Sequence, residues 1–110
     1  CTALARIAAR LAADGIEGRG NSRFLTRKHA RDVATVMYTC GMHDRSGQFA
    51  VDVGIPAKSG ISGGIMAIVP GEMGIAVYSP KVDDSGTSVR GRLVLRDLSR
   101  TLGLSMFSCE

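Results

Sequence analysis

The sequence is short of the features that most directly announce a ligand, and each shortage excludes something. There are three cysteines, Cys1, Cys40 and Cys109, odd in number and far apart. That argues against a disulfide framework and for a reducing compartment, the cytoplasm. Cys40 and His43 have a metal-like spacing, but no second pair joins them: His29 falls in a helical pattern, and Cys1 and Cys109 are terminal. No zinc site is expected, and no other metal or organic cofactor. No apolar run reaches the roughly 18 residues of a membrane span, because Pro70 and Glu72 interrupt the longest candidate, so no membrane partner is expected. Aromatics for base stacking are scarce, with only Phe24 and Tyr38 in residues 1–40. That segment holds seven Lys/Arg against three acids, while residues 41–110 hold seven of each sign. The basic excess reads as the solvated face of amphipathic helices, not as a nucleic-acid footprint. Internal repeats, low-complexity tracts and linkers are absent as well.

What is present is ordinary globular material, 45% hydrophobic and 22% charged, with fourteen glycines. A length of 110 residues fits one domain or a piece of one, enough to bury roughly two-thirds of the unfolded surface. The chain opens on Cys1 within a helical pattern, which is expected of a segment of something longer.

Leu4, Ile7, Ala8, Leu11 and Ala12 recur at helical spacing and stop at Asp14-Gly15, with Gly15 suited to a C-cap. Ile16 to Phe24 carries Gly18, Gly20 and Asn21 and reads as a loop. Thr26 is a fitting N-cap for a second helix, whose apolar stripe Ala30, Val33, Ala34, Met37 and Tyr38 ends at Cys40-Gly41. Residues 46–53 form a short helix that Gly54 stops. The run up to Val69, a turn at 70–73 and the strand Gly74–Tyr78 make an antiparallel hairpin. After a polar loop at 83–86 comes a last amphipathic helix bearing Val89, Leu93, Val94, Leu98 and Leu102. The methionines Met37, Met42, Met66, Met73 and Met106 read as core filling. The fold class is α/β, helices packed on an antiparallel sheet.

Chemistry concentrates in Lys58-Ser59-Gly60-Ile61. Lys followed by Ser or Thr and Gly at a strand start is one motif of penicillin-recognising enzymes. Glycine lets a substrate reach the backbone with no Cβ in the way. The hydroxyl suits a substrate carboxylate, the ammonium supplies positive potential, and the next N–H, that of Ile61, can stabilise an oxyanion. Gly60, Gly63 and Gly64 do not make a phosphate loop, since neither a Walker lysine nor a dinucleotide spacing accompanies them.

Three longer stretches strengthen that short motif: Cys40-Gly-Met-His-Asp-Arg-Ser-Gly-Gln-Phe-Ala50, Gly54-Ile-Pro-Ala-Lys-Ser-Gly-Ile-Ser-Gly-Gly-Ile65, and Val69-Pro70 with Met73-Gly74. Together with Ser79-Pro80, Gly86, Ser88 and Gly91, they resemble the C-terminal signature of serine-dependent glutaminases. The resemblance implies a partial β-lactamase/DD-peptidase-like fold over residues 1–110 and hydrolysis of L-glutamine to glutamate and ammonia through a serine acyl-enzyme. It implies Lys58 and Ser59 as catalytic residues and His43, Ser59, Gly60 and Ile61 as substrate-binding ones, in a homo-oligomer. Such enzymes carry the nucleophile and its lysine in a Ser-x-x-Lys motif. No Ser or Thr here is followed by Lys at that spacing, so the catalytic serine is expected outside this segment. His43 stands where such enzymes have Tyr. An imidazole is shorter and titrates near neutral pH. Either it substitutes as an acid/base group or activity is altered, and a truncated, non-catalytic relative acting by binding or subunit association is the alternative function.

Overall fold

Gly64-Ile-Met-Ala-Ile-Val69 is apolar at nearly every position, and a strand apolar on both faces must be covered on both. In the computed structural model, which describes residues 1–16 and 22–108, it is the central strand of three. The strands are β1 (Ala57–Ser59), β2 (Gly64–Val69) and β3 (Met73–Tyr78), antiparallel in the order β1-β2-β3. Register pairs Ser59 with Ile65 and Val69 with Met73. The period-2 alternation of side chains splits the core in two. Ile65, Ala67 and Val69 pack with Met42, Phe49, Val53, Ile55 and Leu95 on one face, and Ile68 packs with Ala8, Leu11, Ala12, Ala30 and Met37 on the other.

Helices α1 (Thr2–Ala12) and α2 (Arg27–Cys40) supply the second cluster. Thr26 caps α2 as expected, its hydroxyl accepting the His29 N–H at 3.2 Å. The left-handed turn closing α1 begins one residue before Gly15, at Asp14 (φ 56°), and the Gly15 N–H then reaches the Arg10 carbonyl at 2.8 Å. This is the Schellman arrangement. Aspartate tolerates that conformation, and its carboxylate lies 3.3 Å from Arg31 and 3.6 Å from Arg27. Part of the basic excess thus ties α2 to the end of α1. Of the predicted 16–24 loop, Ile16 bridges Arg23 antiparallel, while Gly18, Gly20 and Asn21 lie outside the described residues.

Pro70-Gly71 joins β2 to β3 with Gly71 at φ 76°, the requirement of a type II turn, and strand pairing resumes already at Met73. At Gly74 the backbone of α1 lies so close that a Cβ would stand 2.2 Å from the Ala9 nitrogen.

Past a 3-10 turn (His43–Arg45), α3 (Ser46–Asp52) and α4 (Val89–Leu102) cover the other face. Here one expectation is overturned. The face of α4 turned inward is Gly91, Leu95 and Ser99, whereas Val94 and Leu102 are exposed. At Gly91 a Cβ would stand 3.1 Å from both Ile65 and Val77, so the helix backbone lies against the sheet and only a narrow stripe is admitted. Leu95, 1% exposed, carries the burial, about 1.5–3 kcal/mol. Not all methionines fill the core either: Met37 and Met42 are buried, but Met73 and Met106 are exposed.

Candidate active site

Residues 60–63 form the turn between β1 and β2, and the expected site gathers around it. The turn is closed by the Gly63 N–H on the Gly60 carbonyl at 3.0 Å and by the Gly60 N–H on the Gly64 carbonyl at 2.9 Å. Among the described residues, the N–H groups of Ile61 and Ser62 at its tip make no hydrogen bond. The Ile61 side chain is 80% exposed. Both residues are exposed and their donors are left for an acceptor from outside, which is what stabilising a developing negative charge requires.

Gly60 is informative because nothing inside the protein demands glycine there. Its φ is not positive, and a Cβ would meet no atom closer than 3.8 Å. The space above it is open for something to approach. Gly63 is the opposite case: at φ 106° a Cβ would stand 2.5 Å from the Ser79 carbonyl oxygen, and the Ser79 N–H bonds the Gly63 carbonyl at 2.9 Å. Segment Ser79-Pro80 therefore backs the turn on one side.

Strand alternation separates Lys58 from Ser59. Lys58 is exposed, and its ammonium folds onto the Ser59 carbonyl beside the turn. Ser59 is placed otherwise than expected. Its side chain is 1% exposed, and its Oγ accepts the Thr87 hydroxyl at 3.3 Å, so it does not open onto a cleft. The residue is turned to the α3/α4 side because Ala57, Ser59 and Ile65 share that face of the sheet.

His43 reaches this neighbourhood through the backbone. The Ser59 N–H bonds the Gly41 carbonyl at 3.0 Å, stitching the end of α2 to β1. A Cβ at Gly41 would stand 1.9 Å from the Ala57 carbonyl oxygen, so only glycine admits that contact. Two residues on, His43 is exposed in the left-handed region (φ 58°). The Ser46 hydroxyl holds it there, donating to the His43 carbonyl at 2.8 Å and accepting the Met42 N–H at 3.1 Å.

Sequence reasoning missed two participants, Asp83 and Thr87. Asp83 Oδ1 accepts the N–H of Ser85 at 2.9 Å and of Thr87 at 3.2 Å, and the Asp83 N–H bonds the Thr87 carbonyl at 2.9 Å. The signal was there: an aspartate readily accepts the N–H two residues on, and Asp83 opens the polar run Asp83-Asp-Ser-Gly86. Elsewhere, a groove of about 560 Å³ between α1, α2 and the β2–β3 turn is lined by Leu11, Ala30, Ala34, Tyr38 and Ile68, and by none of the site residues. No group of three or more His, Cys, Asp or Glu able to hold a metal gathers among the described residues, and no helix among them is long and apolar enough to cross a membrane.

Comparison with known proteins bears on this geometry. Glutaminase 2 of Clostridium perfringens is 52% identical over 104 residues, covering 94% of this chain and 34% of that protein. The chain superposes with a TM-score of 0.90, at 38% identity, on the Bacillus subtilis glutaminase solved as a covalent complex with 5-oxo-L-norleucine, covering 94% of this chain and 38% of that one. A structure of Mglu in its glutamate form gives a TM-score of 0.90 at 44% identity, covering 97% and 25%. The chain thus spans about a third of the length of the curated relatives it matches. With the glutaminase family model matching residues 1–107, the chain belongs to the glutaminase family.

Proposed function

We propose that residues 1–110 are the C-terminal part of a glutaminase catalytic domain. It hydrolyses the side-chain amide of L-glutamine to glutamate and ammonia through a serine acyl-enzyme whose nucleophile lies outside this segment. The observation that carries the reading is the pair of unengaged amides at Ile61 and Ser62, at the tip of a turn whose Gly60 leaves the approach open. In this mechanism the substrate carbonyl carbon is attacked by the serine oxygen. The carbonyl oxygen becomes an oxyanion, and the Ile61 N–H donates to it. The proton lost by the serine hydroxyl passes to the amide nitrogen as collapse expels ammonia and leaves the acyl ester. Water then opens the ester by the same tetrahedral route, releasing glutamate and returning a proton to the serine oxygen.

Lys58 serves in this reading as the local positive charge, with its ammonium already at the end of β1 beside the turn. Gly60 leaves room for the substrate, and His43 offers an exposed imidazole from the neighbouring loop. Ser59, catalytic and substrate-binding by resemblance, acts instead through the strand it anchors. The chemistry calls for no metal or organic cofactor. Large apolar side chains left exposed, among them Val36, Val51, Tyr78 and Phe107, provide surface for the remaining two-thirds of such a chain and for a second copy in a homo-oligomer. The exposed thiols of Cys1 and Cys40 suit a reducing cytoplasm.

The test is ammonia release from L-glutamine by the full-length protein carrying this segment. Turnover that survives replacement of Ile61 by proline would remove the oxyanion assignment. No turnover by the wild type would favour the non-catalytic reading that His43 motivates.

A further inference from the structure

The turn at 60–63 is held from a second side, by the loop between β3 and α4. Thr87, 2% exposed, donates its hydroxyl to Ser59 Oγ across 28 residues of sequence. At the same place Gly86, at φ 78°, lies against the Ile61 side chain, where a Cβ would stand 3.2 Å from its Cγ2. The loop bearing both residues is hydrogen-bonded within itself. Asp83 closes it with its carboxylate on the Ser85 and Thr87 amides and its own N–H on the Thr87 carbonyl. Its far end is pinned where Ser88 Oγ caps α4 on the Gly91 N–H at 3.0 Å. Ser79-Pro80 backs the turn at Gly63.

We infer that Thr87 is a positioning residue for the glutaminase reaction, setting through Ser59 and Gly86 where the Ile61 amide points. This rests on the proposed function. The physical argument is one of tolerance. An oxyanion donor works only within a few tenths of an ångström of its target, and displacement of about 1 Å costs roughly a hundredfold in rate. The Ser79 N–H on the Gly63 carbonyl holds the β2 end of the turn, but no backbone bond from outside reaches the tip that carries the Ile61 amide, which leaves that end freer to rock. The Thr87–Ser59 bond removes that freedom at the residue two before the donor. It also explains why the Ser59 hydroxyl is buried: its partner is the loop.

The experiment compares Thr87→Val and Thr87→Ser in the full-length protein. Valine keeps the shape and removes the donor, while serine keeps the donor. Thr87→Val is expected to lower kcat by about ten- to a hundredfold with KM changed by less than about threefold, and Thr87→Ser to restore most of the loss. In parallel, amide NMR on the same variants should show the Ile61 and Ser62 resonances moved in Thr87→Val and restored in Thr87→Ser, with those of α1 unchanged. A merely structural role would reduce the folded fraction without moving kcat per folded molecule. Unchanged kcat in Thr87→Val would overturn the inference and leave the glutaminase reading intact. A wild-type protein without glutaminase activity would remove that reading, and the amide resonances alone would then decide: unmoved signals would overturn the coupling, moved signals would support it. Thr87→Ala replaces Thr87→Val in both measurements if the valine variant does not fold.

Discussion

Replacing Ile61 with proline removes one hydrogen-bond donor and little else. The residue occupies the second position of the turn closed by the Gly63 N–H on the Gly60 carbonyl, the position that proline's fixed φ favours. The residue before a proline is normally restricted, but here it is Gly60, the least restricted residue type. The isoleucine side chain is 80% exposed, so truncating it forfeits about 0.6 kcal/mol at most, one-fifth of full burial. No internal hydrogen bond is lost, because the Ile61 N–H makes none among the described residues. The whole effect should therefore fall on the transition state. Deleting one oxyanion donor costs about 10²–10³ in kcat, roughly 2.7–4 kcal/mol. The assay is ammonia release from L-glutamine by the full-length protein, with thermal unfolding measured beside it. Ile61→Ala, which keeps the N–H and loses only the side-chain contact with Gly86, is the control and should stay at least about tenfold above Ile61→Pro. An Ile61→Pro protein that folds normally and turns over like Ile61→Ala would refute the reasoning.

Other consequences are as direct. Purified residues 1–110 alone should release no ammonia from glutamine; measurable release, abolished by Ser59→Ala, would mean that the nucleophile had been misplaced. In the full-length protein His43→Tyr should preserve or raise turnover, and a large drop in steady-state assays would give the imidazole a catalytic role of its own. Gly74→Ala should destabilise by about 1–3 kcal/mol in denaturant titration, because its Cβ would meet the α1 backbone at 2.2 Å; an unchanged midpoint would contradict that packing. A cavity of about 20 Å³ bordered by Asp83 and Arg92 should hold one ordered water in a crystal structure, since Asp83 Oδ2 and Arg92 Nε are buried without protein partners among the described residues.

Much of the architecture was legible from local pattern. The Thr26 cap, the helix over Ser46–Asp52 and the hairpin about Pro70-Gly71 follow from hydroxyl capping, apolar spacing and the φ that glycine permits. The helical face of α4 was not, because Val94 and Leu102 are more hydrophobic than Gly91 and Ser99 yet remain outside. Hydrophobicity ranks side chains, whereas close approach of helix to sheet selects small ones. Strand β1, Ala57–Ser59, is too short to show a period and exists because β2 and the Gly41 carbonyl supply its partners.

For the site, sequence alone determined which residues border the turn, since Lys58 to Ile61 are contiguous and covalent order keeps them together, and it determined that no Ser-x-x-Lys accompanies them. Only the tertiary structure decided where each one sits and what it touches. Ser59 lies buried on the α3/α4 face, and a hydrogen bond from Thr87, 28 positions away, ties it to the loop beyond β3. Spacing along the chain carries no record of such a contact. The distance across a folded sheet is set by register and packing, and neither exists until the strands have met.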